Sequence, residues 1–201
     1  MDSEPHVHSH SHRTGHRGMD LALALSALAL SIASIIIAIQ NESAMKRLVT
    51  ANSWPYLQLG HGNVLGSQAV VHFDVRNAGV GPALLERLVV TYKGQPVRNA
   101  VELLERCCDA KNVHMNIDTV SHYVLSPRES KAFLQIPQST SDPAFWTRLD
   151  AERFNVDLQA CYSSVFDEHW VTSLRNPSST RVRSCDELGG PAYEDNPYRP
   201  R

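Results

Sequence analysis

The hydrophobic positions change pattern twice along the chain. Between Leu21 and Ile39, 19 consecutive residues carry no charge, and each is Leu, Ala, Ile or Ser. As an α-helix this run is about 28 Å long, close to the hydrocarbon thickness of a bilayer. Asp20 and Gln40 bracket it. A buried helix of a soluble domain is rarely apolar on every side for this length. A cleaved signal peptide has a shorter apolar stretch and ends in a small-x-small motif, which Ile39-Gln40-Asn41 does not supply. The pattern predicts an uncleaved transmembrane helix over residues 19–40. Glu42, Ala44, Met45, Lys46, Arg47 and Leu48 are good helix formers and predict a helical linker over residues 41–53. Pro55 ends it, because a residue before proline is pushed out of the α region.

Beyond Pro55 the period becomes two. Tyr56 to Leu59 is a short strand, and Gln68 to Asn77 alternates, with Val71, Phe73 and Val75 on one face and His72, Asp74 and Arg76 on the other. Leu85 to Tyr92 runs into the turn signal Lys93-Gly94, and Lys131 to Ile136 is closed by Pro137. Arg153 to Tyr162 alternates again, with Phe154, Val156, Leu158 and Ala160 expected inward. Trp170 to Leu174 pairs with it through a turn at Phe166-Asp167-Glu168. Two helical pieces interrupt the strands, Asn99 to Cys107 and Asp142 to Asp150, the second with Pro143 in its first turn. The fold class is therefore mainly β: an antiparallel β-sandwich with two short helices over residues 54–175, behind an N-terminal transmembrane helix. Pro177, Pro191, Pro197 and Pro200 predict a Pro-rich tail over residues 176–201, largely extended or disordered apart from any tether at Cys185.

The segment Asn77-Ala78-Gly79-Val80-Gly81-Pro82-Ala83 reads as a tight corner between strands, with the glycines allowing positive φ and Pro82 fixing the exit. A phosphate cradle needs a helix to follow, and a β-branched strand follows here. This corner phrase, Trp54-Pro55-Tyr56-Leu57, the Cys107-Cys108 pair and the run from Cys161 to Trp170 resemble a group of uncharacterised bacterial single-pass membrane proteins. The resemblance covers most of residues 20–185 and implies an immunoglobulin-like β domain facing the periplasm. Its motifs are structural and imply no activity. It departs at Ser163 and His169, where related chains often carry further cysteines.

Composition adds less. The formal net charge is -2, so no basic field points to nucleic acid. Residues 1–18 have almost nothing apolar and are expected to be a disordered tail. This tail holds His6, His8, His10, His12 and His16, whose neutral imidazoles could chelate a transition metal. Ala22, Ser26, Ala29 and Ala33 fall on one face of the apolar helix, the spacing that lets two helices approach in lipid. Arg13 and Arg17 on one side balance Lys46 and Arg47 on the other, so charge does not orient the helix. The short tail and large C-terminal domain favour the domain outside.

Cys107, Cys108, Cys161 and Cys185 are disulfide candidates with three pairings. A bond between adjacent residues is strained, so at least one long-range bridge is expected, Cys161 with Cys185 being favoured. The rival is a zinc site of Cys107, Cys108, His114 and His122, which lacks C-x-x-C spacing. Asp167, Glu168 and His169 could serve acid–base chemistry but sit where exposed turns are polar anyway. No G-x-S-x-G elbow, H-E-x-x-H pair or cofactor signature occurs. The expectation is a non-enzymatic, membrane-tethered interaction or structural module of the bacterial cell envelope, without a cofactor. It would be single-pass in the inner membrane with its domain periplasmic, and its partners would be the lipid bilayer and an envelope protein or a second copy. The alternative is a metal-handling protein using the histidine tail.

Overall fold

A computed structural model describes residues 17–196, and the chain divides into two units between Val49 and Thr50. The first unit is carried by helix α1 (Arg17–Asn52), 36 residues without a buried side chain. The predicted span and linker are one continuous helix, and it begins at Arg17, two residues inside the expected disordered tail. Its apolar part accommodates serine without exposing a donor. Ser26 Oγ donates to the Leu23 carbonyl at 2.9 Å, and Ser31 and Ser34 donate to the Ala27 and Leu30 carbonyls at 2.8 Å. Such back-bonding satisfies each hydroxyl within the helix itself.

The second unit is built on two antiparallel sheets. One contains β1 (Leu57–Leu65), β2 (Gln68–Asn77), β5 (Asn116–Ile117) and β7 (Ser130–Pro137), in the order β1-β2-β7-β5. The other contains β3 (Ala83–Tyr92), β4 (Gln95–Val97), β8 (Val156–Ser163), β9 (His169–Ser173) and β10 (Thr180–Val182), in the order β10-β9-β8-β3-β4. The short strand β6 (Tyr123–Leu125) pairs with the start of β3. Val71, Phe73 and Val75 of β2 share a single buried cluster with Leu85, Leu88 and Val90 of β3 and Leu158, Ala160 and Tyr162 of β8. The alternation read along β2 and β8 is thus the alternation between this core and the outer faces.

Helices α2 (Ala100–Cys108) and α3 (Pro143–Glu152) carry the chain between the sheets. Asn99 caps α2 by accepting from the Glu102 backbone N–H at 3.0 Å, and the spacing of Ala100, Leu103, Leu104 and Cys108 buries one face. Asp142 caps α3 in the same way through the Phe145 N–H at 2.9 Å, with Pro143 at the first position. The two helices meet where Arg148 Nη1 donates to the Cys108 carbonyl at 3.2 Å.

The start of β8 and the C-terminal segment depart from expectation. Phe154 points outward at 62% exposure, because Arg153–Asn155 forms a 3-10 turn and the strand begins only at Val156. The segment from Asn176 is not a free extended tail through its described part. It supplies β10 and then folds over the second sheet, where Cys185 and Leu188 form a small buried cluster with Val89 and Cys161. Further on, the Tyr193 N–H donates to the Leu88 carbonyl at 2.7 Å, and the Tyr193 ring lies 5.6 Å from Phe133 in the main core. This clasp occupies the β3 edge between the stretches paired with β6 and β4. Asp195 completes it, its Oδ2 accepting from the Val120 and Ser121 N–H groups at 3.2 and 2.9 Å.

The corner after β2 is organised by Asn77, whose side chain is fully buried. Its Oδ1 accepts from the N–H groups of Tyr56 (3.3 Å) and Gly79 (3.0 Å). Its Nδ2 donates to the carbonyls of Gly81 (2.7 Å) and Leu125 (3.1 Å). The glycines here do not serve a positive φ, as the sequence reading had it; that conformation is found at Gly66, Gly94 and Gly190. Gly79 and Gly81 are needed because the backbone of Ser53, Trp54 and Tyr56 occupies the space a Cβ would take. Asn77→Ala removes four bonds from a buried site and is expected to lower unfolding free energy by about 3 kcal/mol. Denaturant unfolding of the full chain in detergent, followed by tryptophan fluorescence, checks this; a loss under about 1 kcal/mol would contradict it.

Candidate functional site

The polar residues singled out at the β8–β9 turn are held by the turn itself. The Ser164 N–H donates to the Glu168 carbonyl at 2.9 Å, and Asp167 takes the left-handed conformation with φ 61. The three neighbours then separate. Glu168 accepts from Arg181 Nη2 at 2.7 Å, while Asp167 extends into solvent. His169 turns onto the sheet, where Nε2 lies 3.2 Å from Glu86 Oε1 and 3.8 Å from Asp167 Oδ1. Glu86 comes from β3, at the bulge between Leu85 and Arg87, a placement that sequence spacing could not reveal. The arrangement sets a largely covered imidazole against one carboxylate from the neighbouring strand and a second, solvent-exposed one from its own turn. Among the described residues no three His, Cys, Asp or Glu side chains converge to hold a metal ion.

A second His–Asp pair lies on the outer face of the first sheet. His72 Nδ1 donates to the Val70 carbonyl at 3.2 Å, leaving Nε2 3.7 Å from Asp74 Oδ1. Both side chains lie over β1, which has Gly62 opposite His72 and Gly60 opposite Asp74. A Cβ on Gly60 would stand 2.8 Å from Asp74 Oδ1, so the alternating glycines make the trough that half-buries the pair. That burial raises the Asp74 carboxyl above its ordinary value, with His72, His61 and Arg76 acting in the other direction. His61 faces the opposite side, with its ring 6.2 Å from Phe73 and 5.2 Å from Phe154. Burial, assisted by Arg153, lowers its pKa. The signal that could have marked the trough is the Gly60-x-Gly62 alternation within a strand.

The cysteines form two bridges, Cys107–Cys108 and Cys161–Cys185. The long-range bond matches the favoured pairing, and the second joins the adjacent residues. Both sulfurs of the rival zinc set are thereby engaged with each other. Ala22, Ser26, Ala29 and Ala33 lie in α1, with the Ser26 hydroxyl turned back onto its own backbone. His6, His8, His10, His12 and His16 lie outside the described residues.

One carboxylate carries a large shift. Glu152, at the end of α3, accepts from Tyr92 Oη at 2.7 Å, Asn155 Nδ2 at 2.8 Å and Lys93 Nζ at 3.4 Å. Those hydrogen bonds, Tyr92 foremost, hold its carboxyl down at about 2, against an ordinary 4.5. A depressed folded pKa stabilises the fold above the unfolded value, and the contribution disappears as pH falls from 4.5 towards 2. Glu152→Gln is therefore expected to lower the melting temperature at neutral pH and to flatten its decline across that acid window. Melting curves from pH 7 to pH 2 check this; parallel curves for the two proteins would contradict it.

No family model matches the chain, and no curated protein matches it.

Proposed function

We propose that the chain is a non-enzymatic, single-pass interaction module of the bacterial envelope, anchored in the inner membrane with its β domain in the periplasm. The observation that carries this reading is α1, long and apolar enough to cross a membrane and without one buried residue along its length. A helix apolar on every side over this length is costly in water and favourable in lipid. The two disulfides support an oxidising compartment for the domain.

The immunoglobulin-like assignment belongs to the same proposal and is supported by strand order. The order β1-β2-β7-β5 corresponds to A-B-E-D of that fold, and β9-β8-β3-β4 to G-F-C-C′. The added β10 and the clasp extend the second sheet beyond that plan. Such domains present end loops and sheet edges as contact surfaces. The small-residue face of α1 supplies a route to self-association within the bilayer.

Two results are expected. The full-length protein stays in the membrane pellet after alkaline carbonate extraction, whereas deletion of residues 19–40 releases it; release of the intact protein would contradict the anchor. In a membrane two-hybrid assay of α1, Ala29→Ile abolishes self-association; an unchanged signal would exclude that face as the contact.

A further inference from the structure

The two disulfides differ in what they can contribute. Cys161–Cys185 links residues 24 apart in sequence, tying β8 to the C-terminal clasp, with Cα atoms 5.4 Å apart. Both residues are buried. A cross-link of that span restrains the unfolded chain, the usual source of a bridge's stabilising effect. Cys107–Cys108 links sequence neighbours and closes no loop beyond one peptide unit. In the same chain-entropy view it adds almost nothing to stability. The residues around it are held independently. Leu103 and Leu104 are in the core, the Asp109 N–H donates to the Glu105 carbonyl at 3.0 Å, and Arg148 holds the Cys108 carbonyl.

A bridge that the fold does not need has a chemical use where it can be reached. Its Cα atoms are 3.7 Å apart, the separation of neighbours across a trans peptide and short of the range in which bridges are unstrained. Strained and accessible bridges are the labile ones. Cys107 is partly exposed at the end of α2, and its Sγ lies 3.7 Å from the Leu104 carbonyl. Leu104 also lines an open groove of about 180 Å³, together with Glu105, Lys111, Val113 and Met115. Cys108 is buried on the core side, with the Arg148 guanidinium on its carbonyl.

We propose that Cys107–Cys108 is a redox-active disulfide that exchanges with an external dithiol while Cys161–Cys185 stays closed. One thiolate of the dithiol attacks Cys107 Sγ, forming a mixed disulfide and expelling the Cys108 thiolate, which takes a proton from water. The second thiol of the reductant, losing its proton, then attacks its own sulfur in the mixed disulfide and releases Cys107 as the thiolate, which is protonated in turn. The protein disulfide gains two electrons and two protons, and the dithiol becomes a cyclic disulfide.

The test is a titration of the folded full-length protein in detergent with dithiothreitol, quenched with a polyethylene-glycol maleimide and read as mass shifts on a gel. Two adducts are expected at a reductant concentration at least roughly tenfold below that which adds the second two. The first pair should vanish in the Cys107→Ser, Cys108→Ser double variant and persist in the Cys161→Ser, Cys185→Ser double variant. If the second of these fails to fold, the first alone still assigns the early adducts. Simultaneous opening of both bridges, earlier opening of Cys161–Cys185, or labelling of Cys107 and Cys108 without reductant would overturn the proposal.

Discussion

A single carboxamide holds the domain's corner together. Asn77 is buried at the end of β2, and its two side-chain atoms reach the segment before β1, the corner that leads to β3, and β6. A buried amide of this kind is favourable only when donor and acceptor are both satisfied, and here they are. Its own backbone adds two bonds to the turn before β7, donating to the Glu129 carbonyl and accepting from the Arg128 N–H, each at 2.9 Å. Gly79 and Gly81, which follow it, let the Ser53–Tyr56 backbone lie directly on the corner. The Val80 and Gly81 N–H groups close on the Trp54 carbonyl at 3.0 and 3.1 Å. The start of the domain is thus fastened to the crossing between its sheets.

Much of this was legible in the sequence where a local pattern decides the outcome. The apolar run, the alternation over Gln68–Asn77, the two capped helices and the β8–β9 hairpin all follow from periodicity and turn chemistry. The turn at Lys93-Gly94 was legible too, both residues taking positive φ as a two-residue hairpin loop requires. What could not be read depends on distant segments. Phe154 fits the alternation, yet a 3-10 turn shifts the start of β8 past it. The tether of the clasp at Cys185 was legible, but its prolines point only to an extended chain and not to the surface that chain covers. The pairing of His169 with Glu86 joins residues brought together only by the β3–β8–β9 order. The corner glycines were recognised for a conformation they do not use, because close approach by another segment leaves no trace in local sequence.

The C-terminal clasp changes how the second sheet is protected. Without it, the β3 edge between β4 and β6 would present unpaired groups, and Val89 and Cys161 would line an apolar outer face. Leu188, Cys185 and Tyr193 cover both, and the Cys161–Cys185 bond fixes the covering segment to β8. The stabilising disulfide therefore belongs to the clasp, while the bond between neighbours lies apart on α2. One chain carries a structural bridge and a reactive one.

The proposed tethering of the domain in an oxidising compartment is open to thiol labelling of intact cells with a bulky, membrane-impermeant maleimide, before and after mild reduction. Adducts that form only after reduction, without permeabilisation, are the predicted result: the domain is then outside the membrane with its bridges formed. Thiols that react without reductant, and only once the cells are permeabilised, would place the domain in the cytoplasm and contradict the account.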